Sequence, residues 1–177
     1  MNLPNQLAAL RILLAPVMFF FLVERESLAL AGIHVTWLNY FAALIFVIAS
    51  VTDFFDGYIA RRWNQSTKLG AILDPLADKM LMLAAFLGLM VIDMANAWAV
   101  FLILSREFFI TGLRIVAVSE GKDVSASSAG KWKTGAQIVA IGFLMMNWPF
   151  GTTLLWIAVA LTIYSGAQYV WAYLKND

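Results

Sequence analysis

The sequence contains no cysteine, a single histidine (His34), and few charged side chains, which make up 13% of its 177 residues. The absence of cysteine excludes disulfide bonds and thiolate metal sites, and one histidine excludes a centre built from several imidazoles. Any metal site must therefore use oxygen ligands. The formal net charge is +1 at pH 7. So small an excess of charge says little about partners, and we expect no nucleic-acid partner.

Hydrophobic residues account for 62% of the chain, and the mean hydropathy is +0.80. Soluble domains average roughly 45–50% apolar and about 25% charged residues, so this composition is typical of a membrane protein. Because long apolar runs recur throughout, we predict one membrane-embedded domain covering residues 1–177. The first run lacks a basic start and a small-residue cleavage site, so we expect a retained helix there.

Six apolar segments approach the ~20 residues that cross the hydrocarbon core as a helix. They cover residues 10–23, 37–60, 69–92, 97–118, 130–146 and 152–174. The first segment is short, and a short amphipathic segment, residues 2–9, leads into it. The sequence therefore predicts an all-α integral membrane protein with six transmembrane helices.

Lysine and arginine predict how these helices are oriented. With six spans, both chain ends lie on one side of the membrane. The loops on that side carry Arg61, Arg62, Lys68, Lys122, Lys131, Lys133 and Lys175. The opposite loops carry Arg25, between two glutamates. By the positive-inside rule, both ends are cytoplasmic, and we expect a multi-pass protein of the inner (cytoplasmic) membrane.

Four aspartates lie in or beside apolar helices on this cytoplasmic side: Asp53, Asp56, Asp74 and Asp78. A charge at a helix centre costs roughly 2.5–3.5 kcal/mol on insertion scales, so intramembrane carboxylates are candidates for function. Spacings of three and four residues place each pair about one turn apart on one helix face. A short loop makes the two helices antiparallel neighbours. The two pairs then lie at a similar membrane depth.

Carboxylates without histidine or thiol partners favour a hard cation, Mg²⁺ or Mn²⁺. Four carboxylates exceed the charge of one such ion, so we expect two. Interfacial salt bridges or a helix cap would account for Asp74 or Asp78 alone. They do not account for two facing pairs with glycines between them. Clustering of the acidic groups on one side also argues against a divalent-cation transporter, which needs polar residues across the whole bilayer.

The chain contains the pattern Asp-x2-Asp-Gly-x2-Ala-Arg-x8-Gly-x3-Asp-x3-Asp. Its fixed positions are Asp53, Asp56, Gly57, Ala60, Arg61, Gly70, Asp74 and Asp78. This pattern resembles the signature of the CDP-alcohol phosphotransferases. The resemblance implies a six-helix membrane bundle, usually a homodimer, with a polar cavity open to the cytoplasm.

The resemblance also implies roles for the matching residues. The metal ions would be held by Asp53, Asp56, Asp74 and Asp78. The CDP group would be bound by Asp53, Gly57, Ala60, Arg61 and Gly70. Asp78 would also be the base that deprotonates the acceptor hydroxyl. The donor implied for this chain is CDP-diacylglycerol, taken from among the membrane lipids.

The acceptor is indicated by basic residues on the fourth and fifth segments: Arg106, Arg114, Lys131 and Lys133. An arginine inside a span must face the bundle interior or a wet cavity. The amino-terminal end of the fifth helix adds partial positive charge. These groups predict a basic pocket suited to an acceptor that carries its own phosphate. Alternatively, Arg106 and Glu107 form a structural ion pair, and the two lysines are topology signals or head-group contacts.

Further stretches of the chain are similar to one branch of the family, which uses sn-glycerol 3-phosphate as the acceptor. They comprise Asn2–Leu7 with Arg11 and Pro16, the Arg106–Arg114 stretch, and Gly130–Thr134 with Gln137. This similarity implies that Arg114, Lys131 and Lys133 hold the acceptor phosphate. Ala8 stands where members of this branch often have threonine. The difference bears only on a local polar contact at the membrane entry. The alternative acceptors are inositol phosphate, serine and phosphatidylglycerol.

Overall fold

The computed structural model describes the backbone of residues 3–63, 68–121 and 128–175, and the side chains of residues 5–52, 75–121 and 129–175. Within these ranges all the regular elements are α-helices. They are α1 Leu3–Val23, α2 Arg25–Leu30, α3 Val35–Trp63, α4 Lys68–Val91, α5 Ala97–Ser119, α6 Ser128–Met145 and α7 Gly151–Lys175. The predicted all-α class is confirmed.

Each predicted apolar segment corresponds to one long helix, but the first helix differs in its start. The first predicted segment reaches spanning length only if the amphipathic segment at residues 2–9 continues into it, and from Leu3 onward it does, since α1 is continuous from there. Pro4 permits this, since proline is tolerated in the first turn of a helix.

The short helix α2 was not predicted. It has six residues, and the side chain of Ser27 donates a hydrogen bond to Glu24 Oε2 at 2.9 Å beside it. Gly32 follows with a φ of +97°, a conformation that glycine adopts readily. So short a helix leaves no hydrophobic periodicity that could be read from the sequence.

Three stretches of the described helices are long and apolar enough to cross a membrane: Asn5–Val23, Val35–Thr52 and Gly151–Lys175. They confirm the membrane character predicted from composition. The arrangement with six spans stays a prediction.

The described chain forms two compact units, Met1–Met94 with Met145–Asn147, and Ala95–Leu144 with Trp148–Asp177. In the first unit, α1 packs along α4 and α3. The residues that α1 buries recur every three or four positions: Asn5, Ala8, Arg11, Ala15, Met18 and Leu22. This is the spacing of a single helix face, so the core of the first unit lies along one stripe of α1.

In the second unit, α5 packs against α7, and side chains of α6 bond to both. Asn96 caps the start of α5, where its Oδ1 accepts hydrogen bonds from the backbone N–H groups of Trp98 and Ala99 at 3.0 and 3.3 Å. These bonds satisfy two of the amide groups that a helix start leaves without a partner. The start of α5 is therefore fixed by a local signal.

Candidate active site

All eight residues of the signature lie on two helices of the first unit. The amino-terminal part, from Asp53 to Arg61, belongs to α3, and the part from Gly70 to Asp78 belongs to α4. The side chain of Asp78 is described, whereas those of Asp53, Asp56, Gly57, Ala60, Arg61, Gly70 and Asp74 lie outside the described residues. Their roles stay predictions.

The buried positions of α3 lead toward the first pair of aspartates. Leu38, Ala42, Phe46 and Ala49 are all fully buried and are spaced by three or four residues. The same spacing continued along the helix gives positions 53 and 56. The side chains at these two positions lie outside the described residues, so the shared face of the two aspartates stays a prediction.

Asp78 lies beside the buried face of α4. Ala77, Leu81 and Ala85 are buried at successive turns, and the neighbouring Asp78 is half-buried. Position 74 is one turn earlier on the same helix. The protein therefore covers the side chain of Asp78 only in part.

Arg11 is a further charged residue in the first unit, and its sequence position alone predicted no role at the site. It is 0% exposed and is the largest of the fully buried side chains in the described chain. Its signal was present in the sequence, since it is a charge near the start of an apolar helix. The rule that singled out the aspartates applies equally to this arginine.

The second unit contains the basic residues predicted to bind the acceptor. Arg106 on α5 is half-buried, and its guanidinium donates a hydrogen bond to Ser165 Oγ on α7 at 3.0 Å. The same guanidinium lies 3.5 Å from the carboxylate of Glu107. Arg106 therefore faces the interior of the unit, as predicted, and its ion pair with Glu107 is present as well.

The two lysines at the start of α6 have different surroundings. Lys133 is 9% exposed, and its ammonium group donates a hydrogen bond to Glu107 Oε1 on α5. Lys131 is exposed. The structure thus brings Arg106, Glu107 and Lys133 into one charged cluster. Lys131 is not part of this cluster and is exposed.

Arg114 lies two turns after Glu107 on α5 and is exposed. The central carbon of its guanidinium lies 5.7 Å from the ring centroid of Tyr169 on α7. At this distance the cation is attracted to the face of the ring. This contact holds the guanidinium of Arg114 beside α7.

A buried hydrogen bond adjoins this cluster. Gln137 on α6 donates to Thr162 Oγ1 on α7 at 2.9 Å, and Ser165 donates to the carbonyl oxygen of Thr162 at 3.0 Å. Both Gln137 and Thr162 are buried. Ser165 connects them to Arg106.

The carboxylates belong to the first unit and the basic cluster to the second. The described residues show the burial of Asp78 within the first unit, and the burial and contacts of the basic side chains within the second.

Comparisons with known proteins agree with the signature. The profile of the family "CDP-alcohol phosphatidyltransferase" matches residues 1–164. A protein of Bacillus subtilis (strain 168) named CDP-diacylglycerol–glycerol-3-phosphate 3-phosphatidyltransferase is 40% identical over 99% of this chain and 98% of its own length. Proteins of the same name from Escherichia coli (strain K12) and Shigella flexneri serotype 5b are 41% identical over 96% of this chain and 93% of theirs.

The match to the profile extends over nearly the whole chain and includes every position of the aspartate signature. The relatives are similar over almost their full length. This agreement covers the helices of both units. The chain is thus a transferase that belongs to the CDP-alcohol phosphatidyltransferase family.

Proposed function

We propose that this chain transfers the phosphatidyl group of CDP-diacylglycerol to sn-glycerol 3-phosphate, giving phosphatidylglycerophosphate and CMP. The observation that carries this proposal is the similarity to relatives whose name states that reaction, at 40–41% identity over nearly the full length of each chain. The reaction is a step of phospholipid synthesis.

The carboxylates of the signature are proposed to hold two Mg²⁺ or Mn²⁺ ions. Their donor atoms fit such ions, because carboxylate oxygens are the ligands of hard cations and the sequence has no thiol that would favour a softer metal. When bound, the ions neutralise charge on the diphosphate of the donor. Asp53, Gly57, Ala60, Arg61 and Gly70 are the proposed contacts of the CDP group.

Asp78 is the proposed general base. Its half-buried carboxylate would accept the proton of the acceptor hydroxyl, whose oxygen then attacks the β-phosphorus of CDP-diacylglycerol. The bond between this phosphorus and the bridging oxygen breaks, and CMP leaves with that oxygen. No covalent intermediate with the enzyme is required.

The acceptor phosphate is proposed to bind the basic groups of the second unit. Arg106 and Lys133 are held by Ser165 and Glu107, and Arg114 is held beside Tyr169. Lys131 would add a cation from the exposed face of α6. Cations fixed in this way suit a phosphate that must be oriented for attack.

The six long helices are proposed to span the inner membrane, with both chain ends and the site on the cytoplasmic side. The distribution of lysine and arginine supports this orientation. We also propose that the protein is a homodimer and that its donor substrate enters from the surrounding lipid.

The experiment is a CMP-release assay with the purified full-length protein in detergent micelles, CDP-diacylglycerol and Mg²⁺. sn-Glycerol 3-phosphate, inositol phosphate, serine and phosphatidylglycerol are offered in parallel. We expect CMP release with sn-glycerol 3-phosphate and its loss on addition of EDTA. Release with another acceptor alone would overturn the proposed substrate, and activity that persists in EDTA would overturn the metal site.

A further inference from the structure

Arg11 occupies the middle of the buried stripe of α1 and is 0% exposed. Its neighbours on this stripe are the apolar residues Ala8 and Ala15, one turn away on either side. A buried guanidinium is unfavourable unless negative charge compensates it. The surroundings of Arg11 should therefore contain anionic groups.

The register between α1 and α4 indicates which groups these are. A Cβ atom added to Gly88 would lie 2.8 Å from Leu22 Cδ1, so these two residues touch near the carboxyl ends of both helices. The two helices pack along their length, so they run parallel. Arg11 precedes Leu22 on α1 by the same interval at which Ala77 precedes Gly88 on α4. Arg11 is thus level with Ala77 and with its neighbour Asp78.

The register between α1 and α3 leads to the same depth. The rings of Phe21 and Phe41 lie 6.2 Å apart, near the end of α1 and the start of α3. These helices also pack together, so they run antiparallel. Arg11 precedes Phe21 on α1 by the same interval at which Val51 follows Phe41 on α3. Position 53 is less than one turn further along α3.

Two independent contacts thus place the buried residue Arg11 at the level of an aspartate position on each of the helices α3 and α4. We propose that Arg11 is a positioning residue of the aspartate site, whose fixed positive charge holds the carboxylates together before the metal ions bind. The inference rests on the metal site of the proposed function. It assigns a role on α1 to a site otherwise built from α3 and α4.

A charge that holds the carboxylates together affects metal binding in a way that a side chain which only fills space does not. Without metal, Arg11 is a cation that compensates the carboxylates from within the unit's core, whereas bound divalent ions supply that compensation themselves. Removal of the guanidinium charge should therefore destabilise the metal-free protein more than the metal-bound protein. The rise in melting temperature on metal binding should become larger.

The experiment measures the melting temperature of the full-length protein in micelles, in EDTA and in saturating Mg²⁺. Arg11→Gln removes the charge and Arg11→Lys keeps it. In EDTA we expect Arg11→Gln to lower the melting temperature by roughly 6–20 °C, since breaking a buried ion pair is strongly destabilising. In Mg²⁺ the loss should be about half as large. Arg11→Lys should recover most of it under both conditions.

The matched control is Met18→Gln, which places the same side chain at another fully buried position of the stripe. The decrease in its melting temperature should be equal with and without metal.

If Arg11→Gln behaves like this control, or if Arg11→Lys recovers nothing, Arg11 only fills space and the inference is wrong. A wild-type protein that does not respond to metal would overturn the metal site and this role with it. A response in the wild type with parallel loss in Arg11→Gln would overturn the role of Arg11 alone.

If Arg11→Gln yields no folded protein in EDTA, the folding of Arg11→Lys shows whether the lost charge is the cause. Folding of Arg11→Gln that depends on added Mg²⁺, together with a stable Arg11→Lys protein in EDTA, supports the proposal. Failure of both variants under both conditions would contradict it, because retained charge would then have no effect.

Discussion

The guanidinium of Arg106 on α5 donates a hydrogen bond to Ser165 Oγ on α7 at 3.0 Å. The adjacent Gly166 leaves room for this contact, since a Cβ atom there would lie 3.0 Å from Arg106 Nε. Ser165 in turn donates to the carbonyl oxygen of Thr162. The orientation of a charged side chain on one helix is thereby determined by two consecutive small residues on another.

Ser165→Ala should weaken acceptor binding. The substitution removes the oxygen that accepts from Arg106 and changes the side-chain volume little. A hydrogen bond to a charged group contributes about 1.5–3 kcal/mol, so we expect the KM for sn-glycerol 3-phosphate to rise roughly tenfold. The KM for CDP-diacylglycerol should not change.

The control for this variant is Ser119→Ala. The Oγ of Ser119 donates to the carbonyl oxygen of Val116 in its own helix and is exposed. Neither KM should change in this control. Equal increases in both KM values for Ser165→Ala would place Arg106 outside the acceptor site.

Lys133→Ala should be more destabilising than Lys131→Ala. Lys133 is buried and bonds to Glu107, whereas Lys131 is exposed. Loss of the first contact should cost about 1–3 kcal/mol, and loss of the second less than about 0.5 kcal/mol. Thermal unfolding in micelles measures the difference.

A double variant measures what the ion pair between Glu107 and Lys133 contributes to stability, apart from other effects of each substitution. Glu107→Gln combined with Lys133→Ala should cost less than the sum of the two single changes, because they remove the same interaction. Strict additivity would mean that the ion pair contributes nothing to stability.

Asp78→Asn should abolish turnover and largely preserve binding of CDP-diacylglycerol. The amide is close in shape to the carboxylate but does not accept the acceptor's proton, and general base catalysis contributes roughly 10²–10⁴-fold. CMP release measures turnover, and a filter or fluorescence assay measures donor binding.

Asp93→Asn makes the same chemical change in a turn, where the residue has a φ of +56° that asparagine also tolerates. This control should retain full activity. Should donor binding disappear together with turnover in Asp78→Asn, Asp78 would be mainly a metal ligand and another group would be the base.

Gln137→Leu should destabilise the second unit. Thr162 would remain buried without the amide that donates to its Oγ1, which costs about 1–3 kcal/mol. Adding Thr162→Val removes the orphaned hydroxyl and should restore part of the stability. A double variant less stable than Gln137→Leu would contradict this explanation.

Gly88→Ala should loosen the packing of α1 on α4. The added Cβ would lie 2.8 Å from Leu22 Cδ1, which forces that side chain to move and should cost about 1–3 kcal/mol. Gly142→Ala on α6 meets no atom within 4 Å and should be neutral or stabilising by up to about 1 kcal/mol. Thermal unfolding compares the two, and equal effects would contradict the close contact.

The aspartate signature was recognisable without coordinates because its charges stand out against an apolar background. Most bounds of the long helices followed for the same reason, apart from the start of α1, because long apolar runs end where charged or turn residues begin. The predicted start of the second span at position 37 lies close to the observed start of α3 at Val35. Helix ends are local features, so local sequence determines them.

The sequence does not show which face of each helix is buried. In a membrane helix the sides toward lipid and toward the core are both apolar, so periodicity does not distinguish them. On α1, Met18 is 0% exposed and Phe20 is 52% exposed, although both are large and apolar. Which face of a helix packs against the core also decides that Arg11 and Lys133 are buried and that Lys131 is exposed.

The sequence by itself determined the family, the helical class and the four carboxylates, because these depend on residue type and short-range spacing. The tertiary structure decided that Arg11 is buried level with the aspartate positions, and that Glu107, Arg106 and Lys133 form one cluster oriented by Ser165. These facts depend on which helix faces meet and at what register. Such contacts join residues far apart in the chain, and local spacing does not specify them.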